Sequence, residues 1–291
     1  MSEINKIFTG TSWFFPFAGL LSLGLGTVIA AESGKPISFV SLLAGIFIFL
    51  SLFLLERIQN YISSSRTNLF SKVGRTDKLR NPQLVALIFG AFALIFVCLY
   101  LLLREQVLIG VNLIWLGLLV LLFTISFSQA GRLWSLGFRW LLEGLIISPV
   151  LLLLGSSLQG SQPVYAQLLL ALTVFLLYGG ISIALLFPNY EDTLEKGSRS
   201  FLTVIGWEQA ITVHNVLLLM AFICLGGYSF VSGSWRTHWG SFAMVLVAGL
   251  EIYLLQRLSR GMKPNWPLLQ AVGISLFTGV LYFLYFGFIN Y

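Results

Sequence analysis

Four titratable side chains lie in or beside long apolar runs of this chain: Glu143, Glu251, His214 and His238. A carboxylate or an imidazole is costly in hydrocarbon, so such a group pairs with a neighbour, faces a polar cavity or handles protons. Glu143, in Leu141-Leu142-Glu143-Gly144, is read as a polar contact in a cavity or as one end of an interhelical hydrogen bond. Glu251 has Arg257 as its nearest candidate partner along the same run. His214 is a candidate pigment ligand through a ring nitrogen, with a hydrogen bond to a neighbouring helix as the simpler reading. Cys98 and Cys224 sit in apolar runs, form no CxxC and read as small apolar residues. The sequence holds no Ser–His–Asp set, no phosphate-binding glycine loop and no dinucleotide fingerprint.

Such residues need elements that hold them at depth, and the composition says which. Hydrophobic residues make up 57% of the chain and charged residues 10%, against roughly 25% charged in a soluble domain; the mean hydropathy is +0.91. The net charge of +6 is spread over short gaps between apolar runs, not gathered on a folded polar face, which excludes a nucleic-acid binder. Nine runs are long enough to be read as membrane helices: Ser12–Ala31, Ile37–Leu55, Leu84–Leu103, Val107–Phe127, Leu136–Leu158, Tyr165–Phe187, Ile211–Phe230, Phe242–Leu258 and Leu268–Ile289. Each must be helical, because hydrocarbon offers no water to backbone groups. With this span count, fourteen Lys and Arg residues fall on one side and three (Lys35, Arg104 and Arg236) on the other. The excess predicts a cytoplasmic N-terminus and a C-terminus across the membrane. Residues 1–291 read as a single transmembrane domain with no cleavable signal, and tryptophans near the span ends form an interfacial belt. The two longest polar stretches, about 57–82 and 188–209, share the predicted cytoplasmic side.

In these two stretches the sequence resembles the UbiA-type intramembrane prenyltransferases. That family has nine helices, an acidic motif of the form NDxxDxxxD after the second, and a second motif after the sixth. In quinone-pathway members the second motif is similar to FPDYExDxxxGKxTLxVRLG. Here it reads Phe187-Pro188-Asn189-Tyr190-Glu191-Asp192-Thr193-Leu194-Glu195-Lys196-Gly197-Ser198-Arg199, and its two aspartate positions fall on Asn189 and Thr193. The first reads Gln59-Asn60-Tyr61-Ile62-Ser63-Ser64-Ser65-Arg66-Thr67, with Asn60, Ser63 and Thr67 at its aspartate positions. The following Arg75-Thr76-Asp77-Lys78-Leu79-Arg80-Asn81-Pro82 is similar to the family's basic continuation.

The resemblance implies an all-α bundle of nine transmembrane helices around a central cavity, with Glu143 near its acceptor side. The family's chemistry rests on Mg²⁺ ions that bridge carboxylates to a diphosphate leaving group, and Mg²⁺ is a hard ion that wants anionic oxygen. Asn, Ser and Thr offer only weak dipoles, so no catalytic residue is expected at the motif positions. A shifted metal set is conceivable in Asp77, Glu191, Asp192 and Glu195; Glu191 and Glu195 are i,i+4 on one helix face. Those acids equally suit a solvated helix start. Arg66, Lys78, Arg80, Lys196 and Arg199 are read as a phosphate cradle or as contacts to anionic lipid headgroups. The expected function is a non-catalytic, UbiA-like membrane protein. It would bind an isoprenoid lipid or pigment tail (quinone, carotenoid or chlorophyll) or serve as a subunit of a membrane complex. The alternative is an active Mg²⁺-dependent prenyltransferase that acts on an aromatic or tetrapyrrole acceptor.

Overall fold

A computed structural model describes residues 13–64, 82–108, 110–127, 137–162, 164–195, 200–262 and 265–289. The first six long helices are α1 (Phe14–Glu32), α2 (Phe39–Ser64), α3 (Pro82–Arg104), α4 (Val111–Phe127), α5 (Arg139–Ser157) and α6 (Tyr165–Ala184). A 3₁₀ turn, Phe187–Asn189, leads into two short helices, α7 (Tyr190–Glu195) and α8 (Phe201–Ile205). The rest is α9 (Trp207–Val231), α10 (Trp239–Ala243), α11 (Val245–Ser259) and α12 (Trp266–Ile289), and the described residues contain no strand. Eight stretches are long and apolar enough to cross a bilayer, with α10 and α11 together forming one of them. The remaining predicted span is α4, whose 17 residues cover about 25 Å at ~1.5 Å per residue, short of a ~30 Å hydrocarbon core.

One boundary moves in a way that matters. The sequence ends the second span at Leu55, where charge begins, yet α2 continues through Glu56 and Arg57 to Ser64. Neither Gly nor Pro follows Gly45 to break it. Ile58, Tyr61 and Ile62 also have an apolar partner surface in Leu84, Leu87 and Ile88 of α3. The start of the first motif therefore rides on a helix, with Asn60 one turn beyond Glu56.

The core is built where small residues let helices touch. A Cβ on Gly26 of α1 would overlap the Leu152 carbonyl oxygen of α5, and one on Gly155 of α5 would overlap the Leu23 carbonyl oxygen of α1. Each backbone thus lies against the other's glycine, the close approach that drives helix association in lipid. Around Pro149, α5 widens into a π segment, Ile146–Leu152. Proline lacks the N–H that an α-turn needs, and the wider turn absorbs the defect. On the other flank of α1, Phe15 packs against Phe49 and Phe53 of α2 and Phe123 of α4 at ring separations of 5.9, 5.7 and 6.4 Å. Outward-facing Phe89, Phe96 and Tyr100 leave α3 exposed along its length, as suits a surface solvated by lipid tails.

Candidate functional site

A cavity of about 320 Å³ opens at the end of the bundle where α2 and α6 finish and α5 and α8 begin; its wall includes Phe14, Arg57, Arg139, Glu143, Tyr178 and Asn189. Phe14 of α1 stacks on Tyr178 of α6 at 5.2 Å with an interplanar angle of 3°. Phe201, at the first position of α8, meets Trp140 edge-on at 5.6 Å. Its placement is fixed by a capping box: Ser200 Oγ accepts from the Thr203 amide at 3.3 Å, and Thr203 Oγ1 accepts from the Ser200 amide at 2.7 Å. Gly206 (φ +87°) then turns the chain into α9, a conformation that favours glycine.

The chemistry of the wall centres on Arg139. Its Nη2 donates to Glu56 Oε1 at 2.8 Å and its Nε to Glu143 Oε1 at 2.7 Å, so one guanidinium bridges two carboxylates on different helices. Tyr178 donates its phenol to Glu143 Oε2 at 2.8 Å. Ser126 of α4 donates to Glu56 Oε1 at 3.0 Å, and Asn60 Nδ2 reaches the same atom at 3.5 Å. Glu56 is buried, at 3% exposure, and its charge is sustained by these charge-assisted bonds. A second guanidinium, Arg57, lies with its Cζ 4.8 Å from the centroid of the Phe53 ring, and its Nε is buried without a hydrogen-bond partner. Arg57, Arg139 and Glu143 line the cavity, and Glu56 stands behind Arg139, so two guanidiniums are matched by two nearby carboxylates.

The sequence-predicted residues divide sharply. Glu143 and Asn189 do line the cavity. Asn60 stands one step behind it, at Glu56. Thr193 returns its hydroxyl to the Asn189 carbonyl of its own turn at 2.5 Å. Glu191, Asp192 and Glu195 are exposed and take no part in the cavity wall. Thr67, Asp77 and the basic candidates Arg66, Lys78, Arg80, Lys196 and Arg199 lie outside the described residues, as does the side chain of Ser63. Sequence reasoning missed Glu56, Arg57, Arg139 and Tyr178. Arg139 and Glu143 are spaced i,i+4, the one local signal that could have found the bridge.

These residues were tested against the family's Mg²⁺ chemistry through their own donors. Among the described residues no three His, Cys, Asp or Glu side chains come together as a metal-binding group. Glu143 in the cavity wall and Glu56 behind it are already bridged by a guanidinium, and the motif residue lining the cavity, Asn189, is neutral. The described set does not fit a two-metal site.

One expectation needs correction. Glu251 does not turn toward Arg257: its Oε1 lies 3.5 Å from His214 Nε2, and both side chains are 0% exposed. His214 Nδ1 faces Asn215 Oδ1 at 3.0 Å. His214 Nε2 has no hydrogen-bond partner among the described residues, and its nearest polar neighbour is that Glu251 carboxylate.

Comparison with known proteins follows the same geometry. No protein-family model matches the chain, and no curated protein matches it in sequence. Solved structures do. A digeranylgeranylglyceryl phosphate synthase studied in membranes is similar at a TM-score of 0.63 and 16% identity, over 95% of this chain and 94% of its own. A UbiA homolog from Aeropyrum pernix K1 is similar at a TM-score of 0.57 and 16% identity, over 94% of this chain and 97% of its own. A bundle of apolar helices, a cavity at the ends of α2 and α6 and near-complete coverage by these two structures lead to one conclusion: the chain has the fold of the UbiA-type membrane prenyltransferases.

Proposed function

We propose that this protein holds the polar head of an isoprenoid lipid in its cavity and does not transfer a prenyl group. The observation that carries the reading is the Arg139 bridge. Glu56 and Glu143, the carboxylates nearest the cavity, are committed to a guanidinium, and freeing either would leave a buried charge uncompensated. What remains for a ligand is uncharged or donor chemistry: the Arg57 guanidinium, the Asn189 amide, and the Ser182 and Ser200 hydroxyls, beside the Phe14 and Tyr178 rings. A flat, neutral, acceptor-bearing head such as a quinone suits that set. Its carbonyls would accept from Arg57 and Asn189, and its ring would lie among aromatic side chains. Because Lys and Arg are concentrated in loops at the cavity end, this end faces the cytoplasm in our reading. Assembly into a larger membrane complex would be compatible with such a lipid-holding role.

The test is mass spectrometry of lipids that co-purify with the protein in mild detergent, run beside a prenyl-transfer assay with Mg²⁺. One quinone or related isoprenoid per chain, with no diphosphate released, is the expected result. Mg²⁺-dependent diphosphate release would overturn it and establish an active transferase.

A further inference from the structure

The second motif supplies a carboxylate that the cavity leaves unused. Glu191 lines a separate groove of about 330 Å³, together with Phe187, Tyr190, Trp207, Leu258 and Trp266. Three segments meet there: the 3₁₀ turn with the start of α7, the first residue of α9, and the junction of α11 with α12. The aromatic rings are not loose ornaments of the interface. Tyr190, Trp207, Leu258 and Trp266 all pack against the buried cluster that includes Leu255 and Leu269. Glu191 is exposed and forms no ion pair with any described residue.

Leu258 and Trp266 also line a neighbouring hollow of about 100 Å³, which contains Arg257 and Asn265. Arg257 contacts the Met262 sulfur at 3.3 Å and lies 6.0 Å from the Tyr253 ring centroid, with no carboxylate partner among the described residues. A carboxylate and a guanidinium, neither in an ion pair among the described residues, thus flank one Leu–Trp partition, and tryptophans near span ends are the residues that meet lipid headgroups.

We propose that this groove seats the headgroup of a zwitterionic phospholipid, with its ammonium among Tyr190, Trp207 and Trp266 against Glu191 and its phosphate toward Arg257. Aromatic faces attract ammonium groups through their quadrupole, and the carboxylate adds charge complementarity that an anionic headgroup would lack. The groove is distinct from the cavity, so the assignment stands or falls independently of what the cavity holds.

Native mass spectrometry of the full-length protein, released from detergent supplemented with phosphatidylethanolamine or with phosphatidylglycerol of the same acyl chains, tests it. The wild-type protein should retain one phosphatidylethanolamine in preference to phosphatidylglycerol. Glu191→Gln should weaken that retention at least tenfold, and Arg257→Gln should weaken it as well, each with an unchanged melting temperature. Glu195→Gln, an exposed change one turn along that is not among the groove-lining residues, should leave retention as it was. Equal retention of the two lipids would overturn the proposal and reduce the groove to an ordinary aromatic belt. So would phosphatidylethanolamine retention unaffected by Glu191→Gln, or equally affected by Glu195→Gln.

Discussion

Glu143 and Glu251 are the same side chain, each set in a membrane helix, and the bundle treats them in opposite ways. Glu143 accepts from Arg139 through one oxygen and from Tyr178 through the other, at the edge of a cavity. Glu251 is sealed at 0% exposure beside His214 at 3.5 Å, and neither of its oxygens has a hydrogen-bond partner. The first is a charge whose cost is offset by two strong donors. The second has no such donor: its nearest polar neighbour is the His214 ring at 3.5 Å, and a buried polar group without a hydrogen bond is costly. An intramembrane acid is therefore not one kind of feature; its donors decide what it is.

The comparison breaks most readily at Arg139. Arg139→Met leaves the buried Glu56 and the half-buried Glu143 without their counter-charge and, discounted for solvent at Arg139, should cost about 2–4 kcal/mol of stability, read as a large fall in melting temperature in detergent. Adding Glu56→Gln and Glu143→Gln to the same chain should recover most of the loss, and no recovery would refute the bridge as the cause. Glu143→Gln alone removes charge-assisted bonds from Arg139 and Tyr178 and should cost about 1.5–3 kcal/mol. Glu251→Gln keeps the shape and removes no hydrogen bond made by the described residues, so its effect should stay below about 1.5 kcal/mol, in either direction. If the two glutamine variants melt alike, the contrast drawn between the sites is wrong.

A histidine at the other end of the molecule sharpens the point through pH. His238 is 1% exposed, its Nδ1 is 2.8 Å from Ser234 Oγ, and burial pushes its imidazole down to about 4 from an ordinary 6.5. The unfolded chain takes up a proton below pH 6.5, whereas the folded chain does not until about pH 4. Stability from this site is fully present above pH 6.5, falls as the pH drops toward about 4, and falls no further below that. Melting temperatures between pH 7 and 4 should show this slope, and His238→Gln should flatten it. A slope unchanged in the variant would assign it to other groups.

Much of the scaffold was legible in the sequence because apolar run length is dictated by the bilayer itself. Asn189, in the motif frame around Phe187-Pro188, lines the cavity. The site's charge arrangement was not legible. Arg57 and Arg139 looked like ordinary positive loop residues, and Glu56 looked like the point where α2 leaves the membrane. Their meaning lies in contacts across the chain: Arg139 meets Glu56 over 83 positions, and Tyr178 meets Glu143 over 35. Hydropathy registers a charge as an exit from the membrane; only tertiary pairing turns it into a wall.

The reciprocal glycine contact between α1 and α5 bears on how such a cavity can choose its guest. Phe14 and Glu143 stand on those two helices, whose backbones touch at Gly26 and Gly155 with no side chain between them to compress. A side chain at either glycine would have to push the two helices apart, so this seam sets how closely the helices that carry Phe14 and Glu143 approach each other. For the flat ring proposed above, that spacing sets the width of the slot on this side of the cavity.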